Sequence, residues 1–283
     1  MLGYEHMWLL FVISVVRSFG QGVQSPAVSA ILPDIVPQEK LMRVNGIHSG
    51  IQSAMMLIAP VAAGGLYEFM RLRAIFWVDV ITAAIGISLM FALHVERKTP
   101  PAMEQHVFRE MLSGIHYVTG TRWLRQFMII YAAYALMFGP VMFLTPLMVA
   151  RSFGEESWRL VAHEIAFASG AILGGVISSV FADKFKNKVS LVLIGCLAFG
   201  AGTAVMGFSQ GFWFYLGTMA FLGVTMPFVN TGSMTVLQIR VQSKMMGRVF
   251  GLVTIISSGV MPLSMAVFGP ISDSYYSRSK SNP

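Results

Sequence analysis

A chain of 283 residues that is 55% apolar and only 12% charged carries more apolar surface than a soluble domain of that size can bury. Its apolar stretches are as long as a bilayer is thick, so the formal net charge of +7 needs a membrane explanation before a nucleic-acid one. The single cysteine, Cys196, excludes a disulfide framework and a cysteine metal centre.

Eight helical spans are expected, at 7–31, 46–66, 74–94, 126–149, 161–182, 190–209, 212–236 and 250–271. No alternating strand pattern offers a barrel, so helices must satisfy the backbone. The first apolar run has neither a basic leader nor a small-residue cleavage site and reads as a span, not a cleavable signal. Loops after the first, third, fifth and seventh spans hold 13 Lys and Arg against 6 in the opposite set. The positive-inside rule then puts the first set in the cytoplasm and both chain ends outside. The positive charge is topology, and no nucleic-acid partner is expected.

The first span carries Ser14, Arg17, Gln21 and Gln24 at helical spacing, a polar stripe on an apolar rod. An arginine at mid-depth costs several kcal/mol if it faces lipid, so Arg17 should face the helix bundle or water. It can bind substrate or couple to a proton-carrying carboxylate; the other reading is a structural pair. The second span repeats the stripe with Asn45, Ser49, Gln52 and Met56, and the eighth with Thr254, Ser258, Met261 and Met265. Such faces can line a cavity, where flexible methionines suit a promiscuous apolar pocket, or can simply pack. The seventh span adds Thr231, Thr235 and Gln238.

Asp79, early in the third span, is either a proton carrier whose pKa is raised by burial or an acidic group complementing a helix start. His163 and Glu164 open the fifth span, where a solvated helix start is expected. Tyr131 and Tyr134 read equally as interfacial anchors or as packing. Asp183 and Lys184, after the fifth span, can make charge contacts that hold one state of a cytoplasmic gate, and Arg248 can do the same before the eighth. Simple positive-inside topology is the other reading of the basic residues. Between the third and fourth spans, Phe108, Met111, Leu112, Ile115 and Val118 share one face of an expected amphipathic helix on the inner membrane surface. The expected divisions are therefore 1–97, a linker at 98–125, and 126–283.

The chain also repeats itself. Pro26 matches Pro227, Pro60 matches Pro262 and Gln38 matches Gln242, at offsets of 201, 202 and 204. A period that long holds six spans, the building block of a large class of secondary transporters. The chain would then hold three spans of one unit and five of the next, with three more expected before Met1 and one after Pro283.

Several stretches in this order resemble bacterial exporters of the major facilitator superfamily, in particular the macrolide-efflux and enterobactin-exporter-like branch. They are Arg17-Ser18-Phe19-Gly20, Ser25-Pro26-Ala27, Leu32-Pro33-Asp34-Ile35-Val36-Pro37, Phe76-Trp77-Val78-Asp79 and Gly247-Arg248-Val249-Phe250. The resemblance covers essentially the whole chain, as helices four to eleven of twelve. It implies an all-α, two-bundle membrane fold, a midplane substrate site, alternating access and proton-coupled export of amphipathic small molecules, without a cofactor. Two motifs depart from the family pattern. Ala182-Asp183-Lys184 keeps the acidic and basic residues of the cytoplasmic loop motif without its glycines, and Ala59-Pro60-Val61-Ala62-Ala63-Gly64 puts alanine at two glycine positions of the antiporter signature.

Other chemistry has no residues to support it. There is no phosphate-cradling Gly-Lys-Ser/Thr loop, and His163-Glu164 lacks the second histidine of a zinc-protease helix. No enzyme, metal or cofactor is expected. The alternative to a transporter is an inactive remnant or a membrane-inserted interaction fragment.

Overall fold

The structure is a computed structural model that describes residues 7–69, 77, 80–88, 107–154, 156–181, 187–209 and 211–281. Among them the helices are α1 (Met7–Ile35), α2 (Leu41–Phe69), α3 (Val107–Gly120), α4 (Arg122–Ser152), α5 (Ser157–Val180), α6 (Lys188–Met206), α7 (Phe212–Arg240) and α8 (Ser243–Ser281). Residues 80–88 are helical as well, inside the expected third span. The all-α membrane fold expected from the sequence is the fold observed.

Helices α4 to α8 are each long and apolar enough to cross a bilayer. α1 and α2 have 29 residues each, enough length for a tilted span. Prolines sit inside α1, α2, α4, α7 and α8 without ending them. Neighbouring helices and small backbone adjustments accommodate them in a membrane helix. A cap is visible where chain re-enters: the Asn187 side chain accepts from the backbone N–H groups of Val189 and Ser190 at the start of α6.

By packing, the helices gather into two compact units. One contains α1, α3, α4, α8 and the end of α7 from Met234; the other contains α2, α5, α6 and α7 up to Ser233. In the first unit α4 pairs most extensively with α8, and α1 and α3 also pack on α8. Contacts at Tyr131–Ser257, Gly139–Ser264 and Arg151–Asp273 advance together along both chains, so α4 and α8 are parallel. The Arg151–Asp273 pair, 2.9 Å, joins the helix ends with Asp273 well exposed. Arg151→Ala should therefore cost less than about 1 kcal/mol in thermal unfolding.

In the second unit α5 and α7 are parallel, meeting at His163–Tyr215, Gly170–Ala220 and Gly174–Val224. α6 runs antiparallel to α7, through Gly195–Val229 and Gly202–Leu222, and α2 runs antiparallel to α5, through Gly46–Ser179 and Gly50–Gly175. Consecutive membrane spans must alternate in direction, and these pairings obey that alternation.

The interior is mostly apolar, with Phe167, Phe199, Leu222 and Phe250 fully buried, yet many large apolar side chains also lie outside. Ile194, Leu197, Trp213, Phe214 and Leu263 are exposed, while Ser178, Thr231, Thr235, Gln238 and Ser264 are buried. Lipid solvates the apolar outside, and small or hydrogen-bonded polar side chains let helices approach closely inside.

Candidate functional site

The polar interior of the second unit begins at the start of α2. Asn45 is buried, and its carbonyl accepts a long hydrogen bond (3.5 Å) from the Thr231 hydroxyl of α7. Ser53, two turns further, is buried and donates to the Ser49 carbonyl at 2.9 Å. Gln52 and Met56, on the same expected stripe, are exposed. Close contact explains the split. A Cβ on Gly46 would lie 2.8 Å from the Ser179 nitrogen, and one on Gly175 would lie 2.7 Å from the Gly50 Cα. At 100° per residue these glycines lie about a quarter turn from the stripe, so the packed face is rotated off it.

In the first unit Arg17, Gln21 and Gln24 share a face of α1 and are all exposed. α1 becomes partly buried one turn further on. There the buried Gln238 of α7 donates from Nε2 to the Ser29 carbonyl at 3.1 Å. Gln238 thus tethers α7 to the end of α1, a role that its place in a polar stripe did not disclose. Of the residues expected to line a path, the structure brings Asn45 into a buried contact and leaves Arg17, Gln21, Gln24 and Gln52 exposed.

Arg248 lies in the first turns of α8. Its side chain is partly buried, donates from a guanidinium nitrogen to the Met245 sulfur at 3.3 Å, and sits against α3, where a Cβ on Gly114 would be 3.1 Å from its own. Arg240 places its guanidinium 5.8 Å over the Trp123 ring, a cation–π contact between the ends of α7 and α4. Asp79, Asp183 and Lys184 lie outside the described residues.

Tyr134 is buried, and Tyr131 exchanges a hydrogen bond of 3.1 Å with Ser257. Both belong to a ladder of rings, Phe127, Tyr131, Tyr134 and Phe138, along α4. Both side chains thus pack within the unit, Tyr134 fully and Tyr131 half-buried.

One expectation is corrected. His163 is not at a solvated helix start: it is 4% exposed, and its Nδ1 lies 2.8 Å from the hydroxyl of Tyr215, which is 0% exposed. Glu164 points the other way and is exposed. The helix start comes earlier than expected, at Ser157, so His163 lies nearly two turns inside. The solvated end is Glu156, whose carboxylate accepts from Arg159 and from Trp158, both at 2.8 Å. These two hydrogen bonds, the arginine's first, and the arginine's charge hold the Glu156 carboxyl below the ordinary carboxylate range.

Membrane-length helices with an apolar exterior, close glycine contacts and buried polar groups among apolar ones have the build of a helical membrane transporter. The chain belongs to the Major Facilitator Superfamily, whose sequence profile matches residues 1–265, a family of transporters rather than enzymes. It is 25% identical to macrolide efflux protein A of Enterococcus faecalis, over 92% of this chain and 81% of that protein. It is 24% identical to macrolide efflux protein A of Streptococcus pyogenes, over 94% of this chain and 67% of that protein. With the multidrug efflux pump Tap of Mycobacterium bovis it shares 21% identity, over 94% of this chain and 64% of that protein.

Proposed function

We propose that this transporter exports amphipathic small molecules, of macrolide or siderophore type, across the cell membrane in exchange for protons, by alternating access. The observation that carries the reading is that relatives from three genera, aligned over at least 92% of the chain, are named for macrolide or multidrug efflux. In this reading the two bundles are 1–97 and 126–283, joined by the linker 98–125, and the loops after the odd spans are cytoplasmic. The exposed Met111, Leu112 and Ile115 of α3 then lie in the inner leaflet, while Gly114 seats the helix on α8.

Arg17, Gln21, Gln24, Asn45, Gln52 and Asp79 line or border the path, and Asp183, Lys184 and Arg248 work at the cytoplasmic gate. The glycine contact of α2 with α5 lies toward the cytoplasmic ends of both helices in this topology. At that end α2 and α5 approach closely through Gly46, Gly50 and Gly175, beside the fully buried Met42, which packs with Leu191 and Phe228.

The test is accumulation of a labelled macrolide in drug-sensitive cells expressing the chain, with and without a protonophore. Lower accumulation that the protonophore abolishes is the expected result; accumulation equal to empty-vector cells defeats the proposal. Arg17→Ala, expressed to the same level, is expected to cut efflux at least about tenfold, because a mid-span arginine sustains a cost of several kcal/mol. Unchanged efflux would remove Arg17 from the path.

A further inference from the structure

His163 and Tyr215 form a buried pair that the proposed path of polar stripes does not use. The rings stack at 5.8 Å between centroids and 20° between planes, in addition to the 2.8 Å hydrogen bond. Phe212 also stacks with Tyr215 at 6.3 Å, and Trp158 meets Phe212 edge-on at 5.3 Å. The Arg159 guanidinium caps the column, 5.2 Å from the Trp158 ring and 5.5 Å from Phe212, and is itself bonded to the exposed Glu156. A line of groups thus runs from an exposed carboxylate at the start of α5 to a buried imidazole about 10 Å further along the helix.

From this column we infer that His163, held by Tyr215, is a proton-binding site of the transporter. The inference rests on the proton-coupled reading above and names the site that reading lacks. The chemistry of the pair suits both charge states. The Tyr215 hydroxyl can donate to Nδ1 of a neutral imidazole, and after rotation it can accept from Nδ1–H of an imidazolium. A proton arriving from water can therefore bind at Nδ1 without leaving that nitrogen unpartnered, and it departs by the reverse step.

The imidazolium is costly when buried among helices, so the protonated site favours states that admit water to the starts of α5 and α7. In the proposed topology these starts face the outside, the side from which protons enter an exporter. No nearby acid neutralises the site within the described residues. Beside it α5 itself carries Glu164, exposed on another face, and Arg159 and Glu156 at its start. α7 contributes Tyr215, α6 only Lys188 and Cys196, at its opposite end and its middle, and α2 meets α5 at the far end through Gly46 and Gly50.

The experiment uses the full chain in proteoliposomes, with a macrolide as the driven solute. It reads macrolide-evoked proton release with a pH dye, and macrolide-for-macrolide exchange in the absence of a gradient. Wild type should release protons on adding drug; His163→Gln should lose that release at least about tenfold, while exchange persists because it needs no net proton movement. Tyr215→Phe keeps the ring stack and should displace the midpoint of the pH profile by about one unit, and it serves where His163→Gln fails to reach the membrane. A coupled wild type with both variants coupled alike, at the same midpoint, overturns the site and leaves proton-coupled export standing. A wild type that exchanges drug but moves no protons overturns both.

Discussion

Gly170→Leu is expected to abolish the folded protein. A Cβ at this position would overlap the carbonyl oxygen of Ala220, and one at Gly174 would overlap that of Val224. Positions four apart share a helix face, so both glycines press α5 on the backbone of α7, and Gly223 answers with its own Cβ position on the Phe167 carbonyl. Backbone cannot rotate away as a side-chain end can, so a leucine must push the helices apart along the whole seam. The cost exceeds the about 1–3 kcal/mol of ordinary overpacking. Gly217→Leu, on the facing helix α7, places its Cβ in open space and should leave folding intact. Fluorescence-detected size-exclusion profiles after detergent extraction distinguish the two; a monodisperse Gly170→Leu protein with wild-type thermal stability would refute the seam.

Leu222→Ala is the second large effect, and it comes with its own rescue. Leu222 is fully buried, and the point where a Cβ on Gly202 would stand lies 2.8 Å from its Cδ2. In a soluble core such a truncation costs about 2–5 kcal/mol, part of it lost transfer from water. In a bilayer the transfer part nearly vanishes, because lipid is as apolar as leucine, leaving the cavity and its lost contacts. The cost should therefore fall near the lower end, about 2 kcal/mol. Gly202→Ala alone crowds Leu222, yet in the double variant its methyl enters the vacated space. The pair should be more stable than the sum of the single changes, by about 0.5–1 kcal/mol in reversible unfolding. Strict additivity would place the two residues out of contact.

The membrane class and the expected spans were legible in the sequence because lipid solvation is a property of each segment by itself. Apolar length alone decides it, and seven expected spans match described helices within a few residues, except that α8 runs about ten residues further, to Ser281. Alternating direction followed from the same pattern. The boundaries at helix starts were less legible. His163 was read as solvated because the apolar run begins near it, whereas the helix begins at Ser157, where Trp158 and Arg159 cover the end.

The polar stripes were legible as stripes, because helical period is local. Which of their residues would be buried was not. On α2 the contact followed Gly46 and Gly50, which permit backbone approach, and so took Asn45 and Ser53 inside while leaving Gln52 out. On α5 and α7 it brought His163 to Tyr215, residues 52 apart in the chain. Hydropathy by itself determined that this chain lives in a membrane, where its spans lie and where its polar residues recur. Only tertiary structure decided which polar groups meet, because helix rotation in lipid is set by how closely two backbones can pack, and lipid presses no particular face inward.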